Sequence, residues 1–307
     1  MLGNYSIRTD LALEDKERFE ADNVEISGVA VEEEYDEENE IHITEVKITT
    51  ENGSKSMRKP IGTYITMEIA NLMLPDETYH HIVSKQIAKY VKKLIRLSNT
   101  EYTVLVFGLG NREVTPDALG PRMVEKLSVT RHIVREYGKY AFGNEISNMV
   151  SAIAPGVMGQ TGMETFEIVK GISESIKPDL VIVVDALAAR NTKRLNRTIQ
   201  ITDTGIHPGS GVGNHRNEIS KDTIGVPVLA LGVPTVVTAE TIIRDTMEQT
   251  FRDLQIKDKY EIYQEMQDSI APHLYSMFVT PKDIDEAIET ISTTIAEGLN
   301  ILFTENN

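Results

Sequence analysis

Hydrophobic and polar positions change period several times along this chain, and each change marks a structural element. Thr103-Val104-Leu105-Val106-Phe107 and Leu180-Val181-Ile182-Val183-Val184 are continuously apolar and rich in β-branched residues. Such runs predict parallel strands covered on both faces. Glu77 to Leu97 places Ile87, Val91, Leu94 and Ile95 at helical spacing, with Lys89, Lys92, Lys93 and Arg96 on the other faces. That predicts an amphipathic helix whose basic residues gather near its C-terminus, where the dipole favours them. From Tyr102 onward, strands over 103–107, 180–184, 198–202 and 226–231 are expected together with helices near 118–127 and 163–176. This order predicts an α/β fold with a mostly parallel sheet flanked by helices.

Before that region, Val24, Ile26, Val29 and Val31 are answered by Ile41, Ile43, Val46 and Ile48 in a predicted β-hairpin. Both strands change phase midway, which suggests a bulge near Gly28. The run Glu32 to Glu40 between them reads as a solvated loop. A further strand over Gly62–Ile69 completes an N-terminal antiparallel elaboration of about residues 20–70. Near the end, Thr280-Pro281 looks like an N-cap and first helical position, followed by Ile284, Ile288, Ile291, Ile295 and Leu302 on one helical face. Thr204 to Thr223 fits no regular element, and long loops within a compact domain are usually functional or disordered.

Length changes the picture little: 307 residues suit one large domain or one domain with an elaboration. The absence of cysteine removes disulfides, thiol nucleophiles and thiolate metal sites. A formal net charge of −16 argues against direct binding to nucleic acid, which needs clustered Lys and Arg. No stretch approaches the roughly 20 apolar residues of a membrane span, and the start lacks a signal peptide's apolar core. A soluble, cytoplasmic protein is expected.

Candidate chemistry centres on Thr115-Pro116-Asp117-Ala118-Leu119-Gly120-Pro121 and Val184-Asp185-Ala186-Leu187-Ala188-Ala189-Arg190, each just after a predicted strand. Chemistry in parallel sheets gathers outside the carboxyl ends of the strands. Two carboxylates meeting there cannot ionise independently, which leaves one as base and one as acid, a pair suited to hydrolysis. Each aspartate alone also has an ordinary reading. Asp117 would complement a helix dipole behind a Thr115 cap, and Asp185 would cap the helix after its strand.

Gly108-Leu109-Gly110-Asn111 lacks the third glycine of a dinucleotide fingerprint and reads as a close-approach turn. His207 could join Asp117 and Asp185 around zinc or nickel, although no tight ligand spacing such as His-Glu-x-x-His accompanies them. Ser210, flanked by Gly209 and Gly211, lies inside a long loop rather than behind a strand, unlike a nucleophile elbow. The amides from Gly209 to Gly213 instead suit an oxyanion site, since glycine leaves its backbone unobstructed.

Read together, these segments resemble the germination proteases of spore-forming bacteria. The resemblance rests on Tyr5-Ser6-Ile7-Arg8-Thr9-Asp10-Leu11-Ala12-Leu13-Glu14, on Gly108 to Asn111, on Thr115 to Pro121 and on Ala154-Pro155-Gly156-Val157-Met158-Gly159. It continues through Asp185 to Arg190, Asp203 to Asn214 and Val279-Thr280-Pro281-Lys282. The resemblance implies catalytic roles for Asp117 and Asp185 and a fold similar to that of the hydrogenase maturation proteases, a similarity that keeps a metal at His207 open; no cofactor is expected.

It also implies an endopeptidase acting on small acid-soluble spore proteins in the spore core, and a homotetramer made as a zymogen that removes its own N-terminal segment. Asp10-Leu11 then fits the processing bond, leaving residues 1–10 as propeptide and 11–307 as one peptidase domain. Some members carry an insertion that this chain lacks after Gln249. Two other readings stay open: a metal-dependent endopeptidase using the same acids plus His207, and a non-catalytic peptide-binding protein.

Overall fold

The structure, a computed structural model, describes residues 11–14, 26–95, 97, 101–138, 141, 148–208, 217–254, 262, 274 and 277–304. Its strands are β1 (Val29–Asp36), β2 (Ile41–Ile48), β3 (Gly62–Ile69), β4 (Thr103–Gly108), β5 (Met149–Ile153), β6 (Leu180–Ala189), β7 (Thr198–Thr202), β8 (Val228–Thr238) and β9 (Phe278–Val279). The helices are α1 (Glu51–Met57), α2 (Glu77–Leu94), α3 (Leu119–Lys126), α4 (Arg131–Tyr137), α5 (Met158–Thr161), α6 (Thr165–Ile176), α7 (Lys221–Ile224), α8 (Ala239–Asp253) and α9 (Ile284–Thr304).

The strands form one sheet in the order β1-β2-β3-β7-β8-β6-β4-β5, with β9 against β8. β5, β4, β6 and β8 run parallel, as expected of an α/β fold. β7 pairs antiparallel with both β8 and β3, and through it the N-terminal antiparallel elaboration joins the same sheet.

Alternation along the central strands explains the two layers of helices. Val104 and Val106 of β4 and Leu180, Ile182 and Val184 of β6 face the large core beneath α2, α3 and α9. Leu105, Phe107, Val181 and Val183 point the other way, to Val169, Phe166 and Ile172 of α6. Successive side chains of a strand leave on opposite faces, so a strand covered by helices on both sides must be apolar throughout.

The phase change in the hairpin has a different cause from a bulge. The β1–β2 ladder is continuous from Val29↔Ile48 to Asp36↔Ile41. Ile41 and Ile43 enter the large core, whereas Val46 and Ile48 join Ala12, Met57 and Tyr64 in a separate cluster on the opposite face. Gly28 occupies a turn before β1 with φ 85°.

The expected acidic loop is also corrected, because Glu32 to Asp36 belong to β1 and only residues 37–40 form the turn. β1 is an exposed edge strand, and charged side chains are what discourage such an edge from pairing with another chain. Thr280 does not cap the last helix, which begins at Ile284; its hydroxyl donates to Thr235 O at 2.8 Å instead. Among the described residues no helix is long and apolar enough to cross a membrane.

One ionic cluster gives the fold a pH dependence. Glu45 is buried on the Ile41–Ile43 face of β2, with Lys47 Nζ 2.8 Å from its carboxylate and Lys93 of α2 bonded to the other oxygen. Burial pushes the Glu45 carboxyl up, but the two lysines outweigh it and hold the group below the usual carboxylate range. A lowered folded pKa contributes stability that is complete above the ordinary value of about 4.3 and lost as pH falls through the folded value. Glu45→Gln is therefore expected to lower stability by about 1 kcal/mol at pH 7 and by nothing measurable once Glu45 is protonated. Urea denaturation of both proteins from pH 7 down to pH 2.5 checks this, and a pH-independent difference would contradict it.

Candidate active site

The site is created by the different lengths of two neighbouring strands. β4 makes its last pair with β6 at Gly108↔Val184, whereas β6 continues beside β8 to Ala189↔Val237. From Asp185 onward the β4 side of β6 therefore opens as a crevice. The sequence reading put Asp185 just past a strand end; it lies within β6, opposite Gly232 of β8 and only 6% exposed. Its Oδ1 accepts a hydrogen bond from the Ala186 amide at 2.9 Å.

The chain leaving β4 folds back across this opening. The Leu109 amide donates to Val184 O at 2.8 Å, and Gly110 then takes φ 112°. A Cβ at Gly110 would lie 2.0 Å from Asp117 O, so glycine is required for the turn to close on Asp117. The Asn111 amide donates to Asp117 Oδ2 at 2.7 Å. Asp117 ends a 3₁₀ turn, Thr115–Asp117, and α3 starts two residues later without a side-chain cap. The expected Thr115 cap is thus absent, and Asp117 is held by the preceding loop. Thr235 Oγ1 of β8 fixes the turn from the other side by donating to Pro116 O at 2.7 Å.

Asp117, Asp185 and His207 all line one cavity of about 660 Å³, together with Tyr64, Gln200 and Glu218. His207 is half exposed, with Nε2 3.8 Å from Glu218 Oε2. Among the described residues no three His, Cys, Asp or Glu side chains are grouped so that they could hold a metal ion. Asp10, Gly209, Ser210, Gly211 and Gly213 lie outside the described residues, whereas Leu11 is wholly buried.

Tyr64 and Gln200 were not singled out from sequence. For Gln200 a signal existed: Thr198, Gln200 and Thr202 alternate with Ile199 and Ile201, yet all five are buried. A buried polar face on a strand asks for partners and often borders a site. Burial pushes the Tyr64 phenol well above its ordinary value, with the carboxylates of Asp203 and Glu218 adding to the effect, so it remains a hydrogen-bond donor. Its hydroxyl donates to Pro60 O at 2.9 Å. The cavity thus offers two carboxylates in different settings, one buried in a strand and one half-buried on a clamped turn, a combination suited to proton transfer with a bound water.

Comparison with known proteins gives the family of the chain. The family model described as "Germination protease" matches residues 7–264. A germination protease of Caldanaerobacter subterraneus subsp. tengcongensis is 47% identical over 96% of this chain and 93% of its own. One from Clostridium tetani is 44% identical over 96% of this chain and 95% of its own. One from Bacillus pumilus is 39% identical over 97% of this chain and 94% of its own, and its alignment extends over 350 residues, longer than the present chain. That relative therefore contains residues with no counterpart here. Among solved structures, the [NiFe] hydrogenase maturation protease HycI from Thermococcus kodakarensis KOD1 overlaps 48% of this chain and 80% of its own at 18% identity. Its TM-score of 0.30 is too low to carry an argument. On the family match and on relatives aligned over nearly its whole length, the chain belongs to the germination protease family and is an endopeptidase.

Proposed function

We propose that the protein is a self-processing zymogen that degrades small acid-soluble spore proteins during germination, using Asp117 and Asp185 to activate water. The observation that carries this reading is that Asp117 and Asp185, one from each Asp-Ala-Leu motif, line one cavity, at the opening left where β4 ends and β6 continues. One aspartate takes the proton of the attacking water while the other donates a hydrogen bond to the scissile carbonyl and then a proton to the leaving amine. Amides of the Gly209–Gly213 stretch serve as oxyanion donors in this scheme.

Residues 1–10 form the propeptide, residues 11–307 the peptidase domain, and Asp10-Leu11 the processing bond. Mature enzyme assembles as a homotetramer in the spore core. These assignments draw on the family, on the Asp10-Leu11-Ala12 sequence and on the burial of Leu11 and Ala12 close to the cavity. The intact mass of the full-length protein during incubation at mildly acidic pH tests the proposal. Loss of the segment ending at Asp10 is expected in the wild type and not in Asp117→Asn. An unchanged wild-type mass across pH 5–7 would count against self-processing.

A further inference from the structure

The ladder between β6 and β8 breaks its register once, beside the aspartates. Leu187 stands opposite Pro234, and the next residue of β6, Ala188, stands opposite Val236, so Thr235 is the extra residue of a β-bulge in β8. Pro234 suits such a place, because it has no amide to give to a ladder and within sheets is confined to edges and bulges. Groups outside the β6 ladder satisfy the carbonyls of this stretch. The Asn196 amide donates to Pro234 O at 2.9 Å, and the Thr280 hydroxyl donates to Thr235 O at 2.8 Å.

A bulge re-aims the side chain of its extra residue, and bulges are over-represented beside active sites. In an unbroken ladder residue 235 would pair with Ala188. Left over instead, Thr235 is 1% exposed, and its Oγ1 donates at 2.7 Å to Pro116 O, the carbonyl directly before Asp117.

The same strand also fixes the other aspartate. Asp185 pairs with Gly232 of β8, three residues before Thr235. Asp117, by contrast, belongs to no strand; it sits on a 3₁₀ turn whose carboxylate is held by the Asn111 amide of the loop after β4. One strand therefore holds Asp185 through its ladder and the Asp117 turn through a single hydroxyl.

We propose that Thr235 is the positioning residue that sets the separation of the two aspartates, the bulge in β8 turning its hydroxyl onto Pro116 O and so tying the Asp117 turn to the strand beside Asp185. The inference rests on the reading of Asp117 and Asp185 as the catalytic pair. Thr235 acts through the turn and not on the substrate. Loss of its hydroxyl leaves peptide binding in place and loosens the geometry of proton transfer, where a displacement of about 1 Å can cost about 10²-fold. Because the Asn111 amide still holds the Asp117 carboxylate, only part of that loss is expected.

The test is steady-state cleavage of a purified small acid-soluble spore protein by the full chain, each variant first incubated until its intact mass is constant. Thr235→Val keeps the branched shape and removes the hydroxyl. It is expected to lower kcat at least fivefold with KM changed less than twofold. Thr235→Ser keeps a hydroxyl and is expected to retain at least half of kcat. A role in folding alone would lower the melting temperature of Thr235→Val and leave kcat of the folded enzyme in place. A kcat loss below fivefold in Thr235→Val, an equal loss in Thr235→Ser, or a loss carried by KM overturns the inference. If Thr235→Val does not fold, Thr235→Cys takes its place against Thr235→Ser; it is close to serine in shape but a weak donor, in a chain with no other cysteine to pair with. Asp117→Asn measured alongside separates the two readings. An inactive Asp117→Asn beside a Thr235→Val of full kcat overturns the inference alone, whereas a fully active Asp117→Asn overturns the aspartate pair and the inference with it.

Discussion

Asp185→Asn is expected to reduce kcat/KM by about 10³-fold or more while leaving the melting temperature unchanged or slightly raised. A positioned acid or base contributes about 10²–10⁴-fold, and a 10³-fold loss corresponds to about 4 kcal/mol of transition-state stabilisation. Stability moves the other way for a specific reason. Asp185 is 6% exposed, and a charge in such surroundings is costly for the fold. Asparagine has the same shape, and its carbonyl oxygen can still accept from the Ala186 amide, a bond now 2.9 Å long. Asp117→Asn, which can likewise keep its bond from the Asn111 amide, is expected to lose activity to a similar degree. In the proposed scheme the two aspartates act on one water, so the double variant is expected to be about as inactive as the worse single variant, not the product of both losses. Steady-state kinetics on a peptide substrate with parallel thermal unfolding separates these outcomes. Either single variant retaining more than a tenth of wild-type kcat/KM would falsify the aspartate pair.

Much of the framework was legible because it obeys local rules. The runs at 103–107 and 180–184 are apolar throughout, and they became β4 and β6, covered on both faces. Gly62–Ile69 and the Ile-rich face after residue 284 likewise behaved as their periods predict. What escaped was decided by distant partners. Met149–Ile153 mixes apolar and polar residues and becomes β5 only by pairing with β4. Asp185 to Ala189 prolong β6 because β8 lies alongside them, a pairing that no local pattern announces. Thr280 carries the chemistry of an N-cap, but Thr235 takes its hydroxyl.

The site divides in the same way. Asp117 and Asp185 stood out because an Asp-Ala-Leu triplet recurs after two apolar runs. Gln200 was not visible, since the Ala12 amide that it accepts from is 188 positions away.

Gly110→Ala tests how far the site depends on its supporting loop, and it is expected to reduce kcat/KM by about 10²-fold. Gly110 sits at φ 112°, a conformation that L residues rarely adopt, and its added Cβ would lie 2.0 Å from Asp117 O. That atom is backbone, so relief cannot come from rotating a flexible side chain. The Thr115–Asp117 turn has to move, and the turn is also held through Pro116 O by Thr235, so the displacement goes into Asp117 and its bond from the Asn111 amide. A misplacement of about 1 Å can cost 10²-fold in rate. The fold itself is expected to lose only about 1–3 kcal/mol, since strain at one special backbone position is of that size. Gly171→Ala is the matched control: it lies within α6 with nothing inside 4 Å of its added Cβ, and alanine there stabilises a helix by roughly 0.5–1 kcal/mol. Equal activity in the two variants would mean that the loop after β4 does not set the position of Asp117. A large loss confined to Gly110→Ala, with most of the stability retained, would mean that the first turn after β4 is part of the catalytic geometry.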